Sequence, residues 1–319
     1  MTARIHGTPR PPAQDDVIFH HPALFYSTGE DYADGVGDFI RKQTADERPV
    51  LVAVPGERLT VLRDLVGDAH AGVTWVDMRQ AGRNPGRILS MLQDFADRHA
   101  DRRPAVVGEP IWVGRTSEEA REATRHEALI NLAFAGRRAT ILCPYDTALP
   151  ERVLTQAHRT HPVVGDPGGY RRSTRYADPH AVCHDCDTPL PEPADPVVLR
   201  FEEQDLADVR DAARDWAESA GLPRLRRTDW LLAVNEATGN SVRHGGGHGT
   251  LRLWRTAAAV VAEARDRGRL TDPLVGRRRP DPHSPAGGRG VWMMHQLCDL
   301  VEIRTPPSGL VVRLHVTLE

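Results

Sequence analysis

The 319-residue sequence lacks any run of apolar residues approaching the roughly 20 needed to cross a bilayer. Its N-terminus carries prolines and charges where a signal peptide has an apolar core. Cysteines are few, and Cys143, Cys183, Cys186 and Cys298 are too unevenly spaced for a disulfide framework. These absences predict a cytoplasmic protein without a membrane segment.

The sequence also has no strong excess of positive or negative charge, since the formal net charge is only −3. This balance gives no electrostatic reason for binding a nucleic acid or an anionic membrane, and no helix-turn-helix pattern is present. A phosphate loop of the Gly-Lys-Ser/Thr type is lacking as well, because residues 54–58 contain a single glycine. The N-terminal half is therefore not expected to hydrolyse nucleotides. The chain is long enough for two domains.

Residues 1–16 contain several prolines and no periodicity, which predicts a disordered tail. From 17 to 178 the pattern alternates strands with helices, which indicates a parallel sheet covered by helices on both faces. Thr116 or Ser117 can cap one of these helices, with Glu119 near its third position. The predicted strands span residues 49–54, 72–77, 105–109 and 139–143, and the predicted helices span 57–66, 84–99 and 116–135.

Several segments of this region resemble the sensory domain of the DcmR regulator, known as the MEDS domain, which occurs in many actinobacterial signalling proteins. The segments are His21-Pro-Ala-Leu-Phe-Tyr26 with Glu30 and Phe39, Gly108-Glu109-Pro110, His126-Glu127, Asn131, Ala133-Phe134 and Cys143-Pro144-Tyr145-Asp146. The resemblance implies a fold similar to RecA and KaiC without an intact phosphate loop. Glu109 lies at the C-terminal end of a predicted strand and either faces a ligand or bonds a neighbouring loop. His21 and His126 are interpreted as structural.

Residues 179–196 are rich in proline, which argues against a helix and predicts a stiff linker between two domains. Within it, Cys183 and Cys186 form a Cys-x-x-Cys pair flanked by His180 and His184. Such a pair can hold zinc or cycle as a dithiol. A closed zinc site requires four ligands and an apolar surround, so a solvent-exposed linker is the favoured interpretation.

Residues 228–247 place polar side chains at helical spacing inside an otherwise apolar helix, which Thr228 or Asp229 can cap. Glu236, Asn240 and His244 recur at every fourth position and share one face. A carboxylate one turn from a carboxamide offers oxygen ligands to Mg²⁺, or a base beside a metal ligand. An ordinary amphipathic helix with its polar face in water is the alternative.

Two later stretches favour a binding site. Residues 260–268 read as a strand that ends in Asp266 followed by Gly268, and residues 286–298 lead through Gly287, Gly288 and Gly290 into a helix. A helix that begins after glycines presents free N–H groups to an anion such as phosphate. The helix with Glu236 and Asn240, the strand end at Asp266 and the glycines before the last helix follow one another in this order. Together they resemble the Bergerat ATP-binding domain shared by DNA gyrase, MutL and histidine kinases.

The closer resemblance, over residues 197–319, is to the anti-sigma-factor serine kinases and their actinobacterial relatives. It implies ATP and Mg²⁺ as cofactors, with Asn240 as the Mg²⁺ ligand, Glu236 as the general base and Asp266 as the acceptor of the adenine amino group. Gly268 would make room for the base, Gly288 and Gly290 would face the phosphates, and His244 would contribute to nucleotide binding. Leu270 stands where many members have a second glycine.

The C-terminal region is expected to form a mostly antiparallel sheet under helices, as an α/β sandwich. Its strands are predicted at 197–202, 250–256, 260–265, 300–304 and 310–318, and a helix at 205–220 precedes the 228–247 segment. Residues 269–285 contain four prolines and are expected to form a mobile lid. The run of three arginines from Arg277 grips phosphates or a partner, or is a solvated charge cluster, which is the favoured interpretation.

These resemblances imply a two-domain signalling protein that binds ATP and Mg²⁺ and phosphorylates a serine. Its implied partners are a sigma factor and an antagonist protein that carries the serine, and a homodimer is possible by analogy. A regulator that binds partners without catalysis is the alternative. A histidine autokinase is disfavoured because the proline-rich linker occupies the place of the helical hairpin that carries the phosphorylated histidine.

Overall fold

The computed structural model describes residues 19–67, 72–166, 168–280 and 288–318. The predicted tail at 1–16 lies outside these residues, as do Gly287 and the last part of the predicted lid. Within them the chain forms an eight-stranded sheet and a five-stranded sheet, each with its own apolar core. No helix in the described ranges is both long enough and apolar enough to span a bilayer.

The first sheet has the order β4-β3-β5-β6-β2-β7-β8, with β1 paired to β6. Its pairs are parallel except for the β7–β8 hairpin. The strands are β1 Phe19–His20, β2 Pro22–Tyr26, β3 Val50–Val54, β4 Val73–Asp77, β5 Ala105–Gly108, β6 Ala139–Asp146, β7 Val163–Asp166 and β8 Gly169–Arg172. The helices are α1 Gly29–Ala45, α2 Gly56–Val66, α3 Met78–Ala81, α4 Ile88–Arg98, α5 Ser117–Ala133, α6 Glu151–Thr160 and α7 Pro179–Asp185.

Strand β3 shows why helices cover both faces of this sheet. All five of its residues are buried, and alternate side chains enter different apolar clusters. Val50, Val52 and Val54 join the cluster that contains residues of α1 and α2. Leu51 and Ala53 join the cluster built with α4 and α5. The predicted parallel α/β class is thus confirmed, because a strand without a polar face must be covered on both sides.

Local signals account for two helix starts. Helix α5 begins with the predicted capping box, in which Thr116 Oγ1 accepts from Glu119 N and the Glu119 carboxylate accepts from Thr116 N. The predicted helix 84–99 is instead a short 3₁₀ turn, Pro85–Arg87, followed by α4. Asn84 causes this start, because its side-chain oxygen accepts from Gly86 N.

The prediction that residues 179–196 contain no helix is wrong, because α7 occupies Pro179–Asp185. Pro179 takes the first helical position, where its missing N–H costs no hydrogen bond, and the Asp178 carboxylate accepts from the next two N–H groups. The solvent-exposed interpretation of the cysteine pair is wrong as well. Cys183 and Cys186 are buried in the core of the first sheet.

The rest of the proline-rich segment lies along the second sheet. Arg313 Nη2 donates to Pro191 O at 2.7 Å, and the Glu192 carboxylate accepts from Arg252 and Arg265, each at 2.6 Å. These arginines also surround the buried carboxylate of Glu263. The segment therefore packs against its following domain and does not span open solvent.

The second sheet has the order β12-β13-β11-β10-β9, and its four ladders are all antiparallel. Alternate residues of β11, Val260, Ala262 and Ala264, face an apolar core shared with the helices, as the predicted sandwich requires. The elements are β9 Val197–Glu202, α8 Leu206–Ser219, α9 Arg224–His244, β10 His248–Arg255, β11 Ala259–Asp266, α10 Arg289–Leu297, β12 Leu300–Arg304 and β13 Leu310–Thr317.

Helix α9 begins earlier than predicted. Its cap residue is Pro223, so Thr228 and Asp229 lie within the helix and do not cap it. The Thr228 hydroxyl donates to Arg224 O at 3.2 Å, one turn back. Gly221, with a positive φ, follows the end of α8. Pro223 then precedes the first residue of α9, where proline is favoured, so the two helices are separated by only a few residues.

The two domains meet around the buried carboxylate of Glu122 on α5. Arg277 Nη2 donates to its Oε2 and Arg304 Nη1 to its Oε1, both at 2.7 Å. All three side chains are no more than 4% exposed. Burial alone would raise the pKa of Glu122, but Arg125, Arg304 and Arg277 outweigh it and lower the pKa to about 2.

A second contact fixes α10 to the first domain. Asn84 Nδ2 donates to His295 O at 3.0 Å and lies 3.3 Å from Cys298 O. Gly86 lies against the His295 ring, and a Cβ on Gly86 would lie 2.0 Å from His295 Nδ1. Only a glycine permits this approach, so the 3₁₀ turn before α4 and the end of α10 form one packed unit.

The predicted mobile lid is partly anchored. Over residues 269–280, Leu274 is buried in the apolar cluster of the first domain and Arg277 is buried against Glu122. The interpretation of the three arginines as a solvated cluster is therefore wrong for Arg277. A buried guanidinium needs a partner, and Glu122 supplies it from the other domain.

Replacing Glu122 with alanine is expected to destabilise the chain by about 3–5 kcal/mol, because it leaves the buried guanidinium of Arg277 without a counter-charge, whereas Arg304 keeps its bond to Glu302. Urea denaturation followed by tryptophan fluorescence measures the loss. Asp38→Ala is the control, because its ion pair with Arg41 lies on the surface and should contribute little. Equal urea midpoints for the two variants would contradict the assignment.

The Glu122 contribution also has a pH dependence. Its folded pKa, about 2, lies below the ordinary value of 4.5. The stabilisation is therefore fully present above about pH 4.5 and is lost as the pH falls toward 2. Glu122→Ala should remove this part of the acid sensitivity.

Candidate functional site

Helix α9 brings two of the predicted site residues together. Glu236 and Asn240 are both partly exposed and lie one turn apart on the face that meets the start of α10. Asn240 Oδ1 accepts from Arg243 Nη2 at 3.0 Å, and Glu236 Oε2 lies 4.0 Å from the same nitrogen. The two side chains present carboxylate and amide oxygens to a common space, which is the donor type that Mg²⁺ takes.

Gly290 closes this space from the other side. A Cβ on Gly290 would lie 2.5 Å from Glu236 Oε2 and 3.1 Å from Asn240 Nδ2. The first turn of α10 therefore approaches the α9 stripe only because no side chain intervenes. Gly288 precedes α10 in a left-handed conformation, with φ of +86°, and its carbonyl accepts from Trp292 N at 3.0 Å.

The carboxylate of Asp266 lies at the end of β11 and is held by two donors. Ser241 Oγ donates to Oδ2 and Gly268 N donates to Oδ1, each at 2.6 Å. A carboxylate has further lone pairs, so these bonds orient Asp266 and leave acceptor capacity for a ligand amino group. Sequence reasoning missed Ser241, although a serine directly after Asn240 in a helix that packs on β11 is a usable signal.

Glycines let the end of α9 and the end of β11 pack closely. A Cβ on Gly245 would lie 2.3 Å from Asp266 Cγ and 2.5 Å from Ser241 O. A Cβ on Gly268 would lie 2.8 Å from Asp266 Oδ1 and 3.1 Å from His244 O. The carboxylate therefore lies directly under backbone, where larger residues do not fit.

His244 and Leu270 fall at the edge of this arrangement. The His244 side chain is exposed, and only its carbonyl lies near Gly268. Its role in nucleotide binding stays a prediction. Leu270, which replaces the second glycine of the family pattern, packs against the apolar core of the second domain.

In the first domain, Glu109 is buried at the end of β5 and is bonded by two side chains. Arg58, from the first turns of α2, donates to Oε1, and Tyr32 donates its hydroxyl to Oε2 at 3.3 Å. Burial raises the pKa of Glu109 to about 7, even though Arg58 opposes this shift. Of the two interpretations from the sequence, the structure shows the carboxylate bonded to neighbouring segments.

Comparison with known proteins gives two matches that together cover most of the chain. Residues 20–162 match the MEDS family model, described as the methanogen/methylotroph, DcmR sensory domain. Residues 199–316 match the model of a histidine kinase-like ATPase domain. A domain of the second kind indicates ATP binding and a role in regulatory signalling.

No curated protein matches the chain. A solved structure described as an ATPase domain is similar at 10% sequence identity and a TM-score of 0.33, over 46% of this chain and 68% of that one.

Replacing Gly245 with alanine is expected to displace the Asp266 carboxylate and break its bond to Ser241, because the new Cβ overlaps Asp266 Cγ. Overpacking of this kind costs about 1–3 kcal/mol. Thermal unfolding measures the loss. Gly29→Ala is the control, because Gly29 begins α1 and a Cβ there meets nothing within 4 Å. A Gly245 variant as stable as the control would contradict the packing described.

Proposed function

We propose that this protein is a cytoplasmic signalling regulator that binds ATP and Mg²⁺ in its second domain and transfers the γ-phosphoryl group to a serine of an antagonist protein. The convergence of Glu236, Asn240 and Gly290 at the start of α10 is the observation that carries this proposal. Asp266, oriented by Ser241 and Gly268, supplies the second half of the site. The match to a histidine kinase-like ATPase domain supports the assignment of ATP.

In this proposal each end of the nucleotide meets a different element. Asp266 accepts a hydrogen bond from the adenine amino group, and Gly268 leaves room for the base. The phosphates lie at the start of α10, where Gly288 and Gly290 expose backbone N–H groups. Asn240 holds the Mg²⁺ that neutralises the phosphate oxygens, which requires Arg243 to release the Asn240 oxygen.

Glu236 is the proposed general base. Its carboxylate takes the proton from the serine hydroxyl while the serine oxygen bonds to the γ-phosphorus and the bond to ADP breaks. Positioning and the metal supply most of the rate enhancement in such transfers. The phosphorylated antagonist would then no longer release the sigma factor, so the chain acts as an anti-sigma regulator.

The first domain is placed to influence this reaction. It contacts residues 269–280 through Leu274 and Arg277, and it contacts the end of α10 through Asn84. The same helix carries Gly290 at its start. A ligand that changes the first domain can therefore shift α10 relative to Glu236 and alter nucleotide affinity or transfer.

A second candidate is a regulator that binds partners without catalysis. The contact between Arg243 and Asn240 favours it, because the proposed metal ligand already has a protein partner. The buried Leu274 and Arg277 also favour it, since they restrain part of the expected lid. In this alternative, ATP or a ligand of the first domain shifts only the affinity for a partner protein.

Asn240→Ala is expected to weaken Mg²⁺-ATP binding at least tenfold, because it removes the proposed metal ligand. Calorimetric titration with ATP in the presence of Mg²⁺ measures the affinity. Asn235→Ala is the matched control, because it removes an amide from another face of the same helix. Wild-type affinity in the Asn240 variant would contradict the metal assignment, and no binding by the wild type up to millimolar ATP would contradict the ATP site.

Glu236→Gln separates the two candidate functions. The substitution keeps the side-chain shape but removes the base, so phosphorylation should fall by about 10²–10⁴-fold while ATP binding persists. Phosphate incorporation into candidate serine-bearing antagonist proteins measures the transfer, with Glu218→Gln as the control for an exposed carboxylate. Equal transfer by both variants would exclude Glu236 as the base, and no transfer by the wild type would favour the regulator without catalysis.

A further inference from the structure

Four side chains of the first domain converge in a buried cluster that the proposed phosphotransfer does not use. They are His21, Glu127, Cys143 and His161, and each is no more than 2% exposed. One ligating atom from each lies within 4.8 Å of all the others. Over the described ranges of the chain, this is the one group of three or more histidine, cysteine or acidic side chains with such spacing.

The four residues come from separate segments. His21 lies between β1 and β2, Glu127 on α5, Cys143 on β6 and His161 at the end of α6. His21 Nε2 is 3.0 Å from Glu127 Oε2, and His161 Nε2 is 3.3 Å from the same oxygen. Cys143 Sγ is 3.4 Å from both His21 Nε2 and Glu127 Oε2.

In both histidines Nε2 faces the cluster and Nδ1 faces away from it. The hydrogen bond that each Nδ1 makes determines whether Nε2 carries a hydrogen or a lone pair. His21 Nδ1 lies 3.1 Å from Asn131 Oδ1, and Asn131 donates its amide hydrogens to backbone carbonyls, among them Thr160 O at 2.8 Å. The Asn131 oxygen is therefore an acceptor, and His21 Nδ1 carries the hydrogen. His161 Nδ1 lies 2.8 Å from Ala157 O, which can only accept. Both neutral rings thus present an unprotonated Nε2 to the cluster.

This arrangement leaves too few hydrogens inside the cluster. Two Nε2 lone pairs and the Glu127 carboxylate face one another, and the Cys143 thiol is the only donor among the four side chains. From outside the four, the buried Tyr145 hydroxyl also bonds the Glu127 carboxylate. His161 Nε2 has no hydrogen-bond donor facing it. A cation among the four atoms satisfies all of them at once.

We propose that His21, Glu127, Cys143 and His161 bind one zinc ion, as a closed tetrahedral site in the first domain. Ligands at tetrahedral zinc lie about 3.3–3.6 Å apart, as bond lengths of roughly 2.0–2.3 Å require. Four of the distances among the four atoms are 3.0–3.4 Å, and all lie within 4.8 Å. The thiolate and imidazole donors favour zinc over Mg²⁺ or Ca²⁺. Binding displaces one proton, from the Cys143 thiol.

Charge and surroundings fit a buried zinc ion. Two neutral imidazoles, one carboxylate and one thiolate balance the two positive charges, so the complex is neutral and its burial costs little. The bonds from His21 Nδ1 to Asn131 and from His161 Nδ1 to Ala157 orient the rings as the outer partners of metal-bound histidines do. The sequence pattern indicates a structural role for His21 and raises zinc only at Cys183 and Cys186, so it does not bring these four residues together.

The proposed site has a consequence for the domain interface. Glu127 lies on α5, five positions after Glu122, which pairs with Arg277 and Arg304 of the second domain. Zinc would link α5 to β6, to the connection between β1 and β2, and to the end of α6. Metal binding is therefore expected to stiffen α5, the helix that the second domain contacts through Glu122.

Element analysis tests the proposal on the full chain, purified without chelator from zinc-supplemented cells. We expect about one zinc per chain in the wild type and less than about a tenth in Cys143→Ala. Cys298→Ala and Cys183→Ala are matched controls, because each removes a buried cysteine outside the cluster, and both should retain one zinc. Less than a tenth of an equivalent in the wild type, or full zinc in Cys143→Ala, would overturn the proposal.

A second measurement uses the unaltered sequence, in case the variants fold poorly. The wild-type chain is stripped with chelator and titrated with Co²⁺, which should give one equivalent of tetrahedral absorption bands and a thiolate-to-cobalt charge-transfer band in the near ultraviolet. Re-addition of zinc should displace the cobalt and raise the thermal midpoint by about 5 °C or more. No thiolate band, or a band that persists in Cys143→Ala and disappears in Cys183→Ala, would refute the assignment.

Discussion

The arrangement of the two domains depends on the ion pairs that the buried Glu122 carboxylate makes with Arg277 and Arg304. Glu122 is 1% exposed and binds guanidinium groups from two segments of the other domain, one on β12 and one in the stretch before α10. The Glu122 carboxylate and the Arg277 guanidinium are each too costly to bury alone, so these two side chains must remain together, and Arg304 joins them while it also bonds Glu302. The contact therefore fixes the second domain, and the segment expected to cover its site, against α5.

The candidate nucleotide site depends on a different constraint, which is close approach of backbone. Gly290 brings α10 onto Glu236 and Asn240, and Gly245 brings the end of α9 onto Asp266. The polar groups are ordinary, and what makes them a site is the absence of side chains between them. Because α10 is also held by Asn84 at its other end, a change in the first domain has a direct physical route to the site.

Helix α5 connects these features. One stretch of it carries Glu122 at the interface and Glu127 in the proposed zinc cluster, and its start is held by the Thr116 capping box. Helix α5 thus contributes one side chain to the domain interface and one to the proposed zinc cluster. The two proposals are nevertheless separate, since zinc binding can be measured whether or not the second domain transfers phosphate.

The sequence alone determined the fold class of both domains, because apolar periodicity is a local signal, and it predicted the stripe of Glu236 and Asn240 that the structure brings against Gly290. It also determined the α5 cap. Tertiary structure decided what depends on distant partners: the pairing of Arg277 with Glu122, the bond from Ser241 to Asp266, and the meeting of His21, Glu127, Cys143 and His161. The proline content of residues 179–196 led to a wrong prediction at α7, because proline is tolerated in the first turn of a helix. The burial of Cys183 and Cys186 could not be predicted, because it depends on packing against another helix. Charge and polarity are visible in a sequence, but whether a charged group is solvated or buried is settled only when the chain has folded around it.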